Sequence, residues 1–429
     1  MSSEPSSPVG DLSSFIDESP TPWHAAENAA LRLEEAGFER LDPTSPWASV
    51  PVRAVVVRDG SLVAWSGVPG ATAAPMRLIG AHTDSPNLRV RPRPDTGRAG
   101  FRQLGVEMYG GALANSWLDR DLTLAGRVAV GDPRSPSGVA HRLFHHRTPL
   151  LRVPQLAIHL DRTANEKLHL NAQDHLRPVW GLGDASEGAF AAFLAEAVGV
   201  APQHVLGWDA CCADTLPPAR LGADGELLAS PRLDNLCSCY GAIEALMATT
   251  TDQPSVVVLN DHEEVGSTSA TGAVGAWLSQ VLERAATGAG GSRVSVLESL
   301  AGSLMVSADM AHGTHPNYPE RHEPAHWVGL GGGPVIKHNA NVRYATDSRG
   351  AAAFRSACDV ARVSVQDYSH RGDLPCGSTI GPVTAAGLAV DTVDVGMAQL
   401  SMHSIRELMA VADVALMCRA FTAWFDAAS

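Results

Sequence analysis

The strongest constraint on the fold is an apolar run that ends abruptly in ionisable residues. In VVVLNDHEEVGSTSATGA, residues 256–273, the apolar run leads directly to Asp261, His262, Glu263 and Glu264. A short apolar run bounded by polar residues is typical of a strand in a parallel sheet that is covered on both faces. Ligands bind at the carboxyl ends of such strands in open α/β sheets. The segment therefore predicts an α/β protein with ionisable side chains in a crevice at the sheet edge.

The rest of the chain predicts a discontinuous α/β domain interrupted by a second domain. Residues 74–86 form another short apolar run that ends in a polar loop. Near Arg91 the pattern changes to Pro, Arg and Gly connectors with short β-like runs, and helical periodicity returns after a second connector. We therefore expect one domain formed by residues 1–91 and 229–429, with residues 92–228 inserted as a separate β-rich domain.

Composition excludes some classes of partner. The chain has 46 acidic and 32 basic residues, a net charge of −14, which argues against broad binding of nucleic acid or anionic membranes. It has no uninterrupted apolar segment of about 20 residues to span a bilayer, and MSSEPSSPVGDLSSF does not resemble a secretory signal. The seven cysteines show no disulfide framework, which favours reduced thiols and a cytoplasmic protein.

Several widely separated loops carry side chains that can bind metal ions, and most of these loops lie where a predicted strand ends. The candidates are His82 and Asp84 in GAHTDSP, Asp234 in SPRLDN, Glu263 and Glu264 in NDHEEVGS, Asp309 in SADMAHGTHPN, and His403 in MHSIRE. Each has an ordinary explanation when taken singly, because an Asp after a strand is often a helix N-cap or a turn residue. Their shared position at strand ends favours one common crevice.

Such a crevice needs positive charge. Carboxylates gathered in a low dielectric repel one another and lose solvation, and divalent cations relieve both costs. Mixed Asp, Glu and His ligands suit zinc, manganese or cobalt better than calcium. Two histidines and three carboxylates suffice for two metal ions if one carboxylate bridges them. At a strand end the backbone turns, so we expect Glu264 to bind metal while Glu263 handles the protons of a bridging water.

Three other motifs do not support a different chemistry. The Gly-rich GLGGGPVIK, residues 329–337, is not followed by a helix start, which argues against a phosphate cradle. Cys376 lacks an evident His partner or a nucleophile elbow, which argues against covalent catalysis. The histidines of residues 312–326 do not have HExxH spacing, and prolines interrupt the segment.

At these residues the chain resembles the M18 metallopeptidases, the aspartyl aminopeptidases. The matching motifs occur in family order from near residue 20 to near residue 410, so the resemblance covers almost the whole chain. They include GAHTDSPNLRVRP, NSWLDRDLTLAGRV, PQLAIHLDR, SPRLDNL, NDHEEVGSTSATGA, SADMAHGTHPNYPERHE, GPVIKHNANVRYATD, DLPCGSTIGP and MHSIRE. The resemblance implies an α/β, binuclear zinc-exopeptidase-like catalytic domain with an inserted dimerisation domain.

The resemblance also implies a role for each candidate. His82 and Asp309 would hold one metal ion, Glu264 and His403 the other, and Asp234 would bridge them. Glu263 would be the general base, and Asp84 would orient His82. His159 would reach the active site of a neighbouring subunit and stabilise the tetrahedral intermediate.

The implied substrate is a peptide with an N-terminal Asp or Glu. Glu263 and Asp309 would contact it together with His159, and His312, Lys337 and Tyr344 would complete the substrate-binding set. The Lys337 ammonium would pair with the acidic side chain. The family further implies a homo-oligomer, a tetrahedral dodecamer built from dimers.

Two other functions remain open on sequence grounds. A binuclear carboxypeptidase or N-acyl amino-acid deacylase uses similar metal chemistry and differs in whether it recognises a free amine. A non-catalytic metal-binding assembly protein could share the fold, but such a protein has no need for Glu263 as a proton carrier.

Overall fold

The computed structural model describes residues 7–135 and 137–427 and divides into two compact units. The first unit contains the chain as far as Asp84, then Pro218–Met402, and then the chain from Glu407 onward. The second unit contains Ser85–Pro217 together with His403–Arg406. Among the described residues, no helix is long and apolar enough to cross a membrane.

Both units contain β-strands. Within the described ranges, strands β1 to β20 span, in order, Glu39–Leu41, Arg53–Arg58, Ser61–Ser66, Arg77–His82, Asn87–Arg98, Phe101–Tyr109, Leu122–Gly131, Val139–His145, Val179–Leu182, Val205–Asp214, Ala219–Leu221, Leu227–Ser230, Ser255–Asn260, Leu304–Ala308, Ala311–His312, Val335–His338, Gln366–Ser369, Asp391–Gly396, Ala398–Leu400 and Glu407–Ala410. Along the chain, these strands are interspersed with helices, as expected for an α/β protein.

Helices lie between these strands. In the same described ranges, helices α1 to α9 span Pro8–Glu18, Pro22–Glu35, Ala189–Ala197, Leu233–Ala248, Trp277–Gly288, Arg293–Gly302, Ser348–Ala361, Ile380–Leu388 and Val411–Asp426. Helix α2 starts with a proline at its first position, where the missing N–H has no helical partner to lose. Strands β2 and β3 form an antiparallel hairpin.

The first unit is built on a nine-stranded sheet with the order β1-β2-β3-β13-β4-β14-β18-β16-β17. Strands β13, β4, β14 and β18 are parallel to their neighbours in this group. Every residue of β4 and β13 is buried, which agrees with their near-continuous apolar sequences. Each buried Val, Leu or Ile side chain contributes about 1.5–3 kcal/mol, so these central strands are firmly held.

Parallel pairing brings the polar strand ends to one edge. Asn260 at the end of β13 lies opposite His82 at the end of β4. Strand β14 ends at Ala308, directly before Asp309. The sequence-predicted convergence of strand ends is therefore present in the structure.

A smaller sheet also belongs to the first unit. Its order is β11-β12-β20-β19-β15. Helix α9 follows β20 directly and buries Phe421, Trp424 and Phe425 in the main core. The β20–α9 connection thus joins the small sheet to the helical layer over the main sheet.

The second unit is mostly β-structure. Its six-stranded sheet has the order β8-β7-β10-β5-β6-β9 with antiparallel pairing, and α3 packs in its core through Phe190 and Leu194. The boundaries expected at 91/92 and 228/229 fall inside β5 and β12, whereas the compact units separate before each of these strands. A continuous strand keeps its residues in one sheet, so the connectors in the sequence mark the boundaries only approximately.

Candidate metal centre

Three predicted ligands form one cluster at the edge of the main sheet. His82 ends β4, Asp234 lies in the first turn of α4, and Glu264 lies in the short turn after β13. One ligand atom from each of these side chains lies within 4.8 Å of the other two. His82 and Asp234 are buried, and Glu264 is half-buried. An imidazole nitrogen and two carboxylate oxygens at this spacing fit a zinc-type ion.

The His82 ring is oriented by Asp84. Its Nδ1 lies 3.0 Å from the backbone oxygen of Asp84 and 3.4 Å from the carboxylate Oδ1 of the same residue. When Nδ1–H donates to these oxygens, Nε2 presents its lone pair to the cluster. Nε2 lies 3.2 Å from Asp234 Oδ1 and 3.8 Å from Asp309 Oδ1. The ring is therefore oriented with Nε2 facing the cluster.

The electrostatics of the cluster favour a cation. Burial opposes a charged imidazole, but the contacts of His82 with Asp234, Asp309 and Asp84 outweigh that effect and raise the pKa of His82 well above its ordinary value. Without a metal ion, a proton on His82 provides the positive charge next to these carboxylates. A divalent ion on Nε2 would neutralise the same carboxylates with greater charge.

Asp84 also ties the two strand ends together. Its side chain is fully buried, and its Oδ1 and Oδ2 accept hydrogen bonds from the backbone N–H groups of Glu263 and Glu264, each at 3.1 Å. One carboxylate therefore orients His82 and fixes the turn that carries both glutamates. This is the arrangement expected of a residue that supports metal ligands.

Glu263 has the properties of a proton carrier. Burial raises the pKa of Glu263 to about 8, the charge of His82 opposes the rise, and the carboxylates of Asp309, Asp84 and Asp234 add to it. A carboxyl group with a pKa near neutrality is suited to general acid–base catalysis. Glu263 thus differs from Glu264, its neighbour in sequence, which lies in the ligand cluster.

Asp234 is held by residues that sequence reasoning did not select. Its backbone N–H donates to Glu407 Oε2 at 2.9 Å, and the next residue, Asn235, donates from Nδ2 to the Ala308 oxygen at 2.8 Å. Asn235 therefore links the start of α4 to the strand end that precedes Asp309. Both residues lie within motifs of the sequence analysis, Asn235 at the end of SPRLDN and Glu407 at the end of MHSIRE, but no local pattern distinguishes their role.

Asp309 lies between the ligand cluster and Lys337. Its Oδ1 faces His82, and its Oδ2 lies 3.8 Å from Lys337 Nζ. The Lys337 ammonium is 3% exposed, donates to the Met310 oxygen at 3.1 Å, and lies 5.2 Å from the ring centroid of Tyr344. The structure thus brings Asp309, Lys337 and Tyr344 together beside the cluster.

His312 is a neutral imidazole that lies beside Tyr368. Burial, together with the charges of Lys337 and His370, lowers the pKa of His312 to about 4. Its ring centroid lies 6.0 Å from that of Tyr368, and the Tyr368 ring lies 6.3 Å from that of Tyr344. Tyr368 is an aromatic residue beside His312 and Tyr344 that the sequence analysis missed, since a tyrosine in a short strand has no distinctive pattern.

Two predicted site residues belong to the second unit. His159 lies in an exposed turn. His403 has a backbone φ of 67°, and its Nδ1 lies 3.2 Å from the Gly111 oxygen. The roles expected for His159 and His403 stay predictions.

Comparison with sequence families agrees with this chemistry. Residues 15–425 match the M18 peptidase family, described as "Aminopeptidase I zinc metalloprotease (M18)". A probable M18 family aminopeptidase 2 from Mycobacterium leprae is 51% identical over 421 residues, which cover 98% of each chain. A probable M18 family aminopeptidase 2 from Streptomyces coelicolor is 49% identical over 424 residues, which cover 97% of each chain.

Solved structures share the fold. Ape4, from a cryo-EM structure of the Ape4 and Nbr1 complex, is 35% identical with a TM-score of 0.92, covering 97% of this chain and 85% of that one. The mApe1 dodecamer of S. cerevisiae is 25% identical with a TM-score of 0.83, covering 97% of this chain and 96% of that one. The fold, the ligand cluster and the match over nearly the whole sequence together lead to one conclusion: the chain belongs to the M18 family of zinc metalloproteases and is an aminopeptidase.

Proposed function

We propose that this aminopeptidase releases N-terminal aspartate and glutamate from peptides. The observation that carries the proposal is the buried ammonium of Lys337, 3.8 Å from Asp309 Oδ2. A buried cation is costly unless an anion accompanies it. When Asp309 binds a metal ion, its charge is shared, and the carboxylate of an acidic substrate residue becomes a suitable partner for Lys337.

We propose that each subunit holds two divalent ions, zinc according to the family, with manganese and cobalt as alternatives. His82 and Asp309 would bind one ion, Glu264 and His403 the other, and Asp234 would bridge them. The position of Asp234 within the same cluster as His82 and Glu264 supports the bridging role. When bound, such ions lower the pKa of a shared water and polarise the scissile carbonyl.

The proton transfers are assigned to Glu263. In our proposal its carboxylate accepts a proton from the attacking water and delivers it to the departing amine, which completes hydrolysis without a covalent intermediate. The hydrogen bond from its backbone N–H to Asp84 supports this role, because it fixes the turn on which Glu263 lies. Asp84 acts through His82 and through this turn.

The remaining residues bind and orient the substrate. His312 is neutral at physiological pH, so it can donate or accept one hydrogen bond without adding charge beside Lys337. Tyr344 is 5% exposed, and its ring packs against the ammonium of Lys337. His159 would contribute from a neighbouring subunit and stabilise the oxyanion of the intermediate, and its exposure supports a role at such an interface.

A panel of aminoacyl substrates tests the specificity. We expect kcat/KM for N-terminal Asp and Glu to exceed that for Ala and Leu, because a hydrogen bond between charged groups contributes about 1.5–3 kcal/mol, or roughly 10- to 100-fold. N-acetylation of the Asp substrate should abolish cleavage. Equal rates for acidic and neutral residues would refute the proposed specificity, and cleavage of only the acetylated peptide would indicate a deacylase.

We also propose that the protein is a cytoplasmic homo-oligomer, a tetrahedral dodecamer of dimers in which the second unit mediates dimerisation. The description of S. cerevisiae mApe1 as a dodecamer supports the assembly, and the seven free cysteines support a reducing compartment. Sedimentation velocity should reveal an assembly far larger than the 45.0 kDa chain. A fully active monomer would refute both the assembly and the role of His159.

A further inference from the structure

The Gly-rich segment before Lys337 is bound by a buried carboxylate. Residues 329–334, GLGGGP, lead directly to β16, and two of their backbone N–H groups point at Asp413 in the first turn of α9. Gly331 N donates to Asp413 Oδ2 at 2.8 Å, and Gly333 N donates to Asp413 Oδ1 at 3.1 Å. Asp413 is fully buried. Both carboxylate oxygens are therefore occupied in holding this segment.

A second side chain, that of Gln366, also binds this segment. Gln366, the first residue of β17, accepts at Oε1 from Gly329 N at 2.8 Å and donates from Nε2 to the Gly329 oxygen at 2.9 Å and the Gly333 oxygen at 3.2 Å. Its backbone N–H donates to the Pro334 oxygen at 2.8 Å. The segment is thus bound at Gly329, Gly331, Gly333 and Pro334, although it has no regular secondary structure.

The glycines are required by this geometry. Gly331 and Gly333 have φ values of 81° and 84°, in the left-handed region that side chains rarely adopt. A Cβ on Gly332 would meet the Gln366 amide, and one on Gly333 would meet the Ser364 oxygen. The sequence pattern that resembles a phosphate loop therefore reflects close approach of the backbone to Asp413 and Gln366.

Lys337 depends on this anchor because its strand is short. Strand β16 pairs with β18 only at Val335 and Ile336, so this ladder stops one residue before Lys337. Pairing with β17 continues to His338, and places Lys337 opposite Tyr368. A shift of one residue in such a strand would turn the lysine to the other face of the sheet.

Asp413 also stands close in sequence to a residue that supports the ligand cluster. Glu407 in β20 accepts from the backbone N–H of Asp234, and α9 follows β20 at Val411. The segment from Glu407 to Asp413 therefore contacts both the bridging-ligand candidate and the segment that precedes Lys337.

We propose that Asp413, together with Gln366, is a positioning residue for substrate selection: it holds Gly331 and Gly333 and thereby places the Lys337 ammonium where it meets an acidic substrate residue. This inference rests on the proposed preference for N-terminal Asp and Glu. It assigns Asp413 no contact with the substrate or with the metal ions. Its effect is on KM for acidic substrates, transmitted through the Gly-rich segment.

The test compares Asp413→Ala, Asp413→Asn and Gln366→Leu with the wild type, using Glu and Ala substrates and the zinc-loaded oligomer. In Asp413→Ala we expect the Glu/Ala ratio of kcat/KM to fall about tenfold, through a higher KM for Glu, while kcat for Ala and the zinc content stay unchanged. Asp413→Asn keeps one acceptor oxygen and should give an intermediate ratio. Gln366→Leu should lower the ratio in the same way, and it provides the test if Asp413→Ala does not fold.

Val414→Ala is the matched control. Val414 is the next residue of α9 and is fully buried in the main core, so its truncation destabilises the helix without removing a bond to the Gly-rich segment. We expect its Glu/Ala ratio to equal that of the wild type. An unchanged ratio in folded Asp413→Ala or Gln366→Leu, or an equal fall in Val414→Ala, would overturn the inference. A wild type without acid preference would instead refute the proposed function on which it rests.

Discussion

The ligand side and the substrate side of this site are built in different ways. His82 ends β4 and the Glu263–Glu264 turn follows β13, and these two central strands are paired with each other along their whole length and buried at every residue. Lys337 lies on β16, which is only four residues long and is fully paired on one side, with β17, but pairs with β18 on the other side only at its first two residues. The sheet itself places the candidate ligands, whereas in our proposal side chains such as Asp413 and Gln366 place the lysine.

This difference indicates how amino-acid substitutions on each side of the site should affect activity. A ligand at the end of a central strand cannot move without disturbing a large apolar core, so its geometry is insensitive to changes at the surface. A lysine on a short strand can shift when a single hydrogen bond to its supporting loop is lost. We therefore expect substitutions on the ligand side to affect all substrates alike, and those on the substrate side to affect mainly the choice among substrates.

The largest effect is expected for Glu263→Gln. Removing the proton carrier should lower kcat by about 10²- to 10⁴-fold for acidic and neutral substrates alike, while zinc content stays at the wild-type level. Kinetics and metal analysis on the same sample measure both quantities. Glu298→Gln, the same change at an exposed residue of α6, is the control and should leave both unchanged. Undiminished turnover in Glu263→Gln would show that Glu263 is not the proton carrier.

A smaller effect is expected for Asp84→Asn. The amide keeps one acceptor oxygen but turns its NH₂ group toward a backbone N–H, so the Glu263–Glu264 turn and the His82 ring lose support. We expect zinc affinity to fall about 10- to 100-fold, as is usual when a residue that orients a metal ligand is lost. Titration with a competing chelator measures this.

Asp95→Asn is a matched control for Asp84→Asn. Asp95, in the second unit, also accepts two backbone N–H groups, those of Gly188 and Phe190, each at 3.0 Å. Its substitution removes the same kind of interaction from a residue that is not a ligand candidate. Zinc affinity should be unchanged in Asp95→Asn, and an equal loss in both variants would mean that Asp84 has no specific effect on the ligands.

The smallest and most selective effect is expected for Lys337→Met. The thioether fills a similar volume without the charge, so kcat/KM for Glu substrates should fall roughly tenfold while that for Ala substrates changes little. The ratio of the two rates is the measurement. If both rates fall equally, Lys337 supports the ligand side through Asp309, and the contrast between the two sides disappears.

The same contrast explains how much could be predicted from the sequence. The ligand candidates on strands β4, β13 and β14 were predictable because an apolar run followed by His, Asp or Glu marks a strand end directly. Asn235, Glu407 and Tyr368 were missed because each acts through a contact between segments that are distant in the chain. The sequence argued against a phosphate cradle in the GLGGGP segment, but the partner Asp413 lies about 80 residues away, and no local pattern connects them.

Domain boundaries show a similar limit. Connector composition indicated the insertion, but strand β5 extends through residues whose Pro, Arg and Gly content looks like a linker. Pairing with neighbouring strands determines where such a segment belongs, and a single sequence does not contain that information. The inclusion of His403–Arg406 in the second unit, far along the chain from Ser85–Pro217, could not be anticipated for the same reason.

The central claim is that the ends of the main-sheet strands hold the ions that activate water. A crystal of the zinc-loaded protein, measured on both sides of the zinc absorption edge, tests it most directly. We predict anomalous density for two ions, with His82, Asp234 and Glu264 among the ligands and Asp234 in contact with both ions. Anomalous density located elsewhere, with these three side chains bonded only to one another, would contradict the account.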